Sequence, residues 1–263
     1  PSRAGYLAGR SAVAARMTRF SAALPRDEVT FLELLRQQGG YHTGIAGRSY
    51  HLDGSARGGP EISRLMEQHQ LRSFAERVDY LRTGSDTQAV VQLEEFLDGR
   101  PAGKPFAMWL NFSDPHHPWD APAEFRPAPE SLRLPPHWPD LPGMRAQLAD
   151  YCAEVNRVDA TMGKVLAALE RRGLTKDTLV VFAGDNGAAL PHGKGSLYDP
   201  GCNVPLVIRW PGIVKPGGDS RELLSGEDIA PTVLAAAGLP AGPKMSGRSF
   251  LPLLRGEIGR AHV

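Results

Sequence analysis

Val180-Val181-Phe182-Ala183-Gly184-Asp185-Asn186-Gly187 is a short apolar run that breaks at a glycine and then sets an acid beside an amide. A run this short, rich in Val and Phe, has the length and branching of a buried strand rather than of a helix. Its neighbours turn it into a fold. Upstream, from about Met144 to Arg172, the residues Tyr151, Val155, Val158, Met162, Val165 and Leu169 form one apolar stripe at helical spacing, and Gly173 supplies the stop. Downstream, Pro205–Trp210 reads as another buried strand and Asp228–Ala237 as an apolar helix ended by Gly238. Farther upstream, Pro105–Phe112 is an apolar run of strand length, consistent with cover on both faces. A helix over Thr87–Leu97 precedes it, with Val90, Val91, Leu93 and Leu97 as candidate buried positions. Thr30-Phe31-Leu32-Glu33 has capping-box spacing and opens a helix that ends at Gly39-Gly40, after which Tyr41–Ala46 reads as a strand. Strands alternating with helices predict an α/β fold, a mostly parallel sheet with helices on both faces. Residues 54–86 are polar and rich in Gly, Arg and Ser, and predict an irregular excursion with little core. Residues 118–142 hold too much proline for a helix or a central strand and predict a long ordered loop.

With 263 residues the chain is long enough to bury a sizeable core. Thirty basic and 29 acidic side chains leave a net charge of +1, so no global field favours nucleic acid or an anionic membrane. No apolar run approaches the roughly 20 residues that span a bilayer. Cys152 and Cys202 have neither metal-ligand spacing nor a disulfide framework, and read as small buried hydrophobes.

Chemistry concentrates after the strands. In open α/β sheets, sites gather at the carboxyl ends of strands. Asp185 and Asn186 there offer hard oxygen ligands suited to Ca²⁺ or Mg²⁺. Asp-Asn-Gly is equally a strand-ending turn. His116 and His117, just beyond the strand ending at Phe112, fit a weak metal site or plain loop exposure. Lys194 is flanked by Gly193 and Gly195, which lets it approach an anion without steric obstruction; a lone Gly-Lys-Gly is also a common surface loop. Trp119 and Trp138 in the Pro-rich loop can stack on a sugar ring or simply pack.

Taken together, these segments carry a family pattern. Pro1-Ser2-Arg3-Ala4-Gly5-Tyr6-Leu7-Ala8-Gly9-Arg10 resembles the sulfatase motif Cys (or Ser)-x-Pro-Ser-Arg-x-x-x-(Leu/Met)-(Thr/Ala)-Gly-Arg from its third position onward. Gly40-Tyr41-His42-Thr43-Gly44-Ile45-Ala46-Gly47-Arg48-Ser49-Tyr50-His51 resembles the second signature, Gly-Tyr-x-Thr-x-x-x-Gly-Lys followed closely by His. Pro115-His116-His117-Pro118 is similar to the family's Pro-His-x-Pro element, and the run from Asp185-Asn186-Gly187 through Gly193-Lys194-Gly195 to Val204-Pro205 is similar to its counterpart. Asp228-Ile229-Ala230-Pro231-Thr232 and Gly247-Arg248-Ser249 continue the likeness as structural elements. It covers nearly the whole chain and is weakest over 54–100.

The resemblance implies an alkaline phosphatase-like fold and an expectation that residues 1–263 are a partial sulfatase catalytic domain, truncated at both termini. The Cys or Ser that the family oxidises to formylglycine, its nucleophile, would lie two residues before Pro1. The first strand, with an Asp pair for the metal, would also lie upstream. Asp185 and Asn186 are then ligands of Ca²⁺ (or Mg²⁺), and Arg3 supports the nucleophile. His51 contacts the nucleophile, while His116 and Lys194 contact the sulfate. Arg48 stands where the family has Lys; its planar fork can hold a pair of sulfate oxygens, but it cannot give up a proton at working pH. The implied partners are a sulfated small molecule or glycan and a formylglycine-generating enzyme, with a periplasmic or secreted location. A phosphate-ester hydrolase of the same superfamily is the competing reading, since both esters suit cationic pockets. A non-catalytic glycan-binding relative is the third.

Overall fold

The computed structural model describes residues 1–18, 23–49, 64 and 66–257. The centre of the fold is a parallel three-stranded sheet in which β1 (His42–Gly47) lies between β2 (Tyr80–Leu81) and β3 (Phe106–Asn111). In register, His42 stands opposite Phe106 and Gly47 opposite Asn111. A second piece pairs β4 (Val180–Ala183) with β5 (Leu206–Arg209), antiparallel, Val180 opposite Arg209.

Alternation along β3 explains how two cores are served by one strand. Ala107 and Trp109 face one side and pack with Leu32, Leu35, Ile45 and Phe74; Phe106, Met108 and Leu110 face the other and pack with Leu93, Phe96 and Leu169. Successive side chains of a strand point to opposite faces, so a continuous apolar run is what a doubly covered strand requires. The first face is covered by α1 (Ser2–Ala8), α2 (Phe31–Gly39) and α7 (Ile229–Ala236), the second by α4 (Asp86–Asp98) and α5 (Met144–Arg171). Among the described residues, further short helices are α3 (Phe74–Arg77), α6 (Asp199–Cys202) and α8 (Leu251–Leu254). Helices thus lie on both faces of a mostly parallel sheet, as the element order predicts. Among the described residues, no helix is long and apolar enough to cross a membrane.

The helix starts have local causes. Thr30 caps α2 as expected: its side chain accepts from the Glu33 amide, and Glu33 returns to the Thr30 amide at 3.0 Å. Ser85 and Gln88 do the same for α4. Gly47, at φ +74, ends β1 where a Cβ would lie 2.0 Å from the Asn111 carbonyl oxygen, so only glycine lets β1 and β3 close together at this end.

Several sequence expectations are corrected. The polar excursion does contribute core: among its described residues, Phe74, Arg77 and Val78 are buried, and Tyr80–Leu81 adds a strand to β1. Arg77 can lie inside because it meets Glu33 at 2.8 Å and the Glu28 carbonyl at 2.6 Å. Val91 is 54% exposed and Val155 38%, because α4 buries Ala89, Gln92 and Phe96 instead, and α5 buries Ala149, Ala153, Glu154 and Thr161. Close helix packing there favours small and paired polar side chains over bulky ones. Strands β4 and β5 are only half covered, with Val207 prominently exposed. Cys202 is exposed and Cys152 half-buried, so neither is a buried hydrophobe. The Pro-rich 118–142 segment is a loop holding two single-turn 3₁₀ helices, Ala123–Phe125 and Pro129–Ser131.

Candidate active site

The ends of β1, β3 and β4 meet around one guanidinium. Arg3, on the first turn of α1, donates from Nη1 to the Arg48 carbonyl just past β1 (3.1 Å) and to Asn111 Oδ1 at the end of β3 (3.4 Å). Its Nε lies 3.5 Å from Asp185 Oδ2, just past β4. Asn111 is itself fixed: Oδ1 accepts from Trp109 Nε1 at 2.7 Å, and Nδ2 donates to the Ala46 carbonyl at 3.2 Å. Tyr6, one turn along α1, donates its hydroxyl to the Gly184 carbonyl at 2.7 Å. Burial, with the Asp185 carboxylate adding to it, pushes the Tyr6 phenol up to about 12, so it stays a donor at neutral pH. Helix α1 therefore pins the turn that carries Asp185. Neither Tyr6 nor Asn111 was singled out from sequence; the only sequence signal is that each falls within or beside a matched segment.

Asp185 is half-exposed, and Asn186 spends its Nδ2 on the Gly187 carbonyl at 2.8 Å, a bond that uses the amide nitrogen and not the oxygen. A carboxylate and an amide oxygen at a strand end suit a hard divalent cation by donor chemistry. They are two donors where Ca²⁺ takes about 6–8 oxygens. Among the described residues, no group of three or more His, Cys, Asp or Glu side chains forms a metal cage.

The other expected residues stand on the loops that leave the same strand ends. His116 is exposed, and its Nδ1 lies 2.6 Å from the His117 carbonyl. Lys194 is exposed, and its amide donates to the Ala188 carbonyl at 2.7 Å. That turn folds tightly because Gly193 lets the backbone pass where a Cβ would lie 2.1 Å from the same Ala188 oxygen. Neither side chain makes a hydrogen bond or ion pair with Arg3, Arg48 or Asp185 among the described residues. Arg48 is half-buried beside Asn111, whose carbonyl accepts its amide at 3.1 Å. His51 lies outside the described residues. The structure thus gathers Arg3, Asp185 and the Arg48 backbone, and hangs His116 and Lys194 on adjoining loops.

A network of charged groups holds the His116 loop. Asp86, in the first turn of α4, accepts the amides of Ser113 (2.6 Å) and Asp114 (2.9 Å). Arg157 of α5 grips Asp114 with Nε at 2.7 Å and Nη2 at 2.9 Å, and reaches Asp120 and Glu154. Glu154 is wholly buried and takes the amides of Asp120 (2.7 Å) and Ala121 (2.6 Å) on one oxygen. Burial pushes the Glu154 carboxyl upward, and the neighbouring Asp114 adds to it. The bond to Asp114 raises the Arg157 guanidinium well above its ordinary range.

A parallel sheet covered by helices on both faces, with polar groups gathered at its strand ends, defines the class of α/β proteins with a strand-end site. A solved structure of a glycosaminoglycan-metabolising protein of Bacteroides thetaiotaomicron superposes with a TM-score of 0.77 at 23% identity, over 97% of this chain and 64% of the other. A phosphonate monoester hydrolase from Silicibacter pomeroyi gives 0.74 at 24% identity, over 98% and 67%. The family follows from sequence. The model of the sulfatase family matches residues 1–239, and the chain belongs to that family. It is 30% identical to human N-sulphoglucosamine sulphohydrolase over 88% of this chain and 51% of the relative. It is 34% identical to an endo-4-O-sulfatase of Bacteroides thetaiotaomicron over 60% of this chain and 34% of that protein. The chain spans about half the length, or less, of the curated relatives it matches.

Proposed function

We propose that residues 1–263 belong to the catalytic domain of a sulfatase that hydrolyses sulfate esters of glycans. The observation that carries this reading is the Arg3–Asp185 junction at the carboxyl ends of the strands, flanked by loops bearing His116 and Lys194. The relative named for N-sulphoglucosamine supports the substrate class.

A sulfate ester repels nucleophiles, so hydrolysis needs cations around the sulfuryl oxygens and an acid for the departing oxygen. Lys194 and Arg48 supply positive charge, and such electrostatic stabilisation is commonly the largest catalytic contribution. Arg3 orients the motif from which it projects and balances Asp185. Asp185 and Asn186 would hold a divalent cation, which when bound neutralises ester charge. The formylglycine expected at the motif's first position would supply the nucleophile. The contact with the His117 carbonyl keeps a proton on His116 Nδ1, leaving Nε2 as the atom that delivers a second proton to the leaving alkoxide. Because Arg48 keeps its proton, that task falls to His116 or Lys194.

The test starts from a version carrying, upstream of Pro1, the segment the family pattern calls for (a first strand with its Asp pair, then Cys-x or Ser-x), coexpressed with a formylglycine-generating enzyme. Release of 4-nitrophenol from the sulfate ester is measured beside the phosphate ester. His116→Ala and Lys194→Ala are each expected to lower turnover by about 10²–10³-fold. A preference for the phosphate ester would transfer the assignment to a phosphate- or phosphonate-ester hydrolase, the second reading favoured by the likeness to the phosphonate monoester hydrolase.

A further inference from the structure

Beside His116 and Lys194 lies a cavity of about 500 Å³ that the ester chemistry does not use. One wall is His117, Pro118 and Trp119, the residues that directly follow His116. The opposite wall is Ala189, Leu190 and Pro191, in the turn that Lys194 closes through its bond to Ala188. Gln147 and Asp150, on one face of α5, complete it. The two side chains assigned to the sulfate thus issue from the two segments that form the cavity's walls.

The walls are built rather than incidental. The His117 ring stacks on Trp119 at 4.1 Å, Tyr151 meets the indole edge-on at 5.8 Å, and Trp119 Nε1 donates to the Pro115 carbonyl at 3.2 Å. The far wall is tied by Trp138, whose Nε1 donates to the Pro191 carbonyl at 3.2 Å. An aromatic platform held by its own hydrogen bond loses little freedom when a ring settles against it. Among the described residues no Lys or Arg lines the cavity, and Asp150 is neutralised by Arg126 at 2.6 Å. A second sulfate finds no cation among them. An uncharged ring with hydroxyls does: apolar C–H faces meet indole, imidazole and proline, and hydroxyls meet the amide of Gln147 and the carboxylate of Asp150.

We infer that this cavity seats the pyranose ring of the substrate, oriented so that its ester group lies at the mouth between His116 and Lys194. The inference rests on the sulfate-contact reading of those two residues and adds where the sugar lies. The test follows the indole N–H signals of the four tryptophans in the ¹⁵N spectrum of the 263-residue chain. The Trp119 signal is assigned with Trp119→Phe. The chain is titrated with D-glucosamine 6-sulfate, D-glucosamine and sodium sulfate, each to on the order of 10 mM. Both sugars should move the Trp119 signal and leave that of Trp109, which is packed in the core, in place. Sulfate alone should not move Trp119. Gln147→Ala, at an exposed position, should weaken sugar binding about 3–10-fold without altering the spectrum of the free protein. A Trp119 signal unmoved by either sugar, or a Gln147→Ala variant that binds like the original, overturns the inference whatever sulfate does. Equal binding of the two sugars would keep the sugar site and remove the sulfate assignment of His116 and Lys194.

Discussion

Replacing Glu154 tests whether the His116 loop is held from beneath by α5. Glu154→Leu keeps the volume nearly constant and removes a buried carboxylate that accepts two amides and one guanidinium bond. An unsatisfied buried donor costs about 1–3 kcal/mol, and breaking a buried charge pair costs about 3–5 kcal/mol when nothing else serves the partner. Arg157 is partly exposed and retains Asp114 and Asp120, so the ion-pair loss belongs at or below the low end. The sum for Glu154→Leu is about 3–5 kcal/mol, a large share of the roughly 5–15 kcal/mol that holds a domain together. Glu154→Gln keeps an oxygen for the two amides and sheds a charge that burial disfavours, so less than about 1 kcal/mol is expected, from the weakened bond to Arg157. Urea unfolding gives both numbers, and amide hydrogen exchange at Asp120 and Ala121 locates the effect. A Glu154→Leu protein within about 0.5 kcal/mol of the original, with those two amides still protected, refutes the reasoning.

Three further outcomes follow from the same contacts. Because the folded Glu154 pKa is raised, the native state holds a proton that the unfolded chain has released between the two pKa values; stability falls as pH rises through that window, so the original should gain on Glu154→Gln as pH is lowered from neutrality toward the ordinary carboxylate range in parallel urea titrations. Tyr6→Phe should cost about 1 kcal/mol in urea unfolding and abolish a phenol that titrates near 12 by ultraviolet absorbance; a titration near the ordinary value would contradict its burial. Gly47→Ala forces a Cβ toward the Asn111 carbonyl at positive φ and should destabilise by roughly 3 kcal/mol or more, read as a fall in the thermal midpoint; an unchanged midpoint would mean the strand ends separate freely.

Much of the fold was legible because its signals are local. The Thr30–Glu33 box, the apolar run of β3 and the glycine stops each act within a few residues. What sequence hid depends on distant partners. Tyr80–Leu81 is too short to show a period and is a strand only because β1 offers an open edge. The interior positions of Arg77 and Glu154 could not be read, since a charged side chain goes inside only when its partner is there to meet it. Val155 was misjudged for the converse reason: it lies on an apolar stripe, but the surface facing α5 is filled by Ala149, Ala153 and Glu154. The direction of β5 against β4 was equally hidden, as an apolar run has no arrow. Within the site, motif residues identified where polar groups gather. They gave no hint that Tyr6 and Asn111 brace them.

Arg3 joins residues that are far apart in the chain: 45 positions to Arg48 and 108 to Asn111, while its neighbour Tyr6 reaches 178 positions to Gly184. Contacts of such separation form late, after the loop entropy between them has been overcome. During synthesis, at roughly 5–20 residues per second, α1 waits on the order of ten seconds or more after its own emergence for the turn at Gly184–Asp185 to leave the ribosome. Throughout that interval the helix carrying the first signature has no partner for its tyrosine hydroxyl and only part of the coordination of its arginine. Docking of α1 is therefore completed only late in folding, once the Gly184–Asp185 turn has been made.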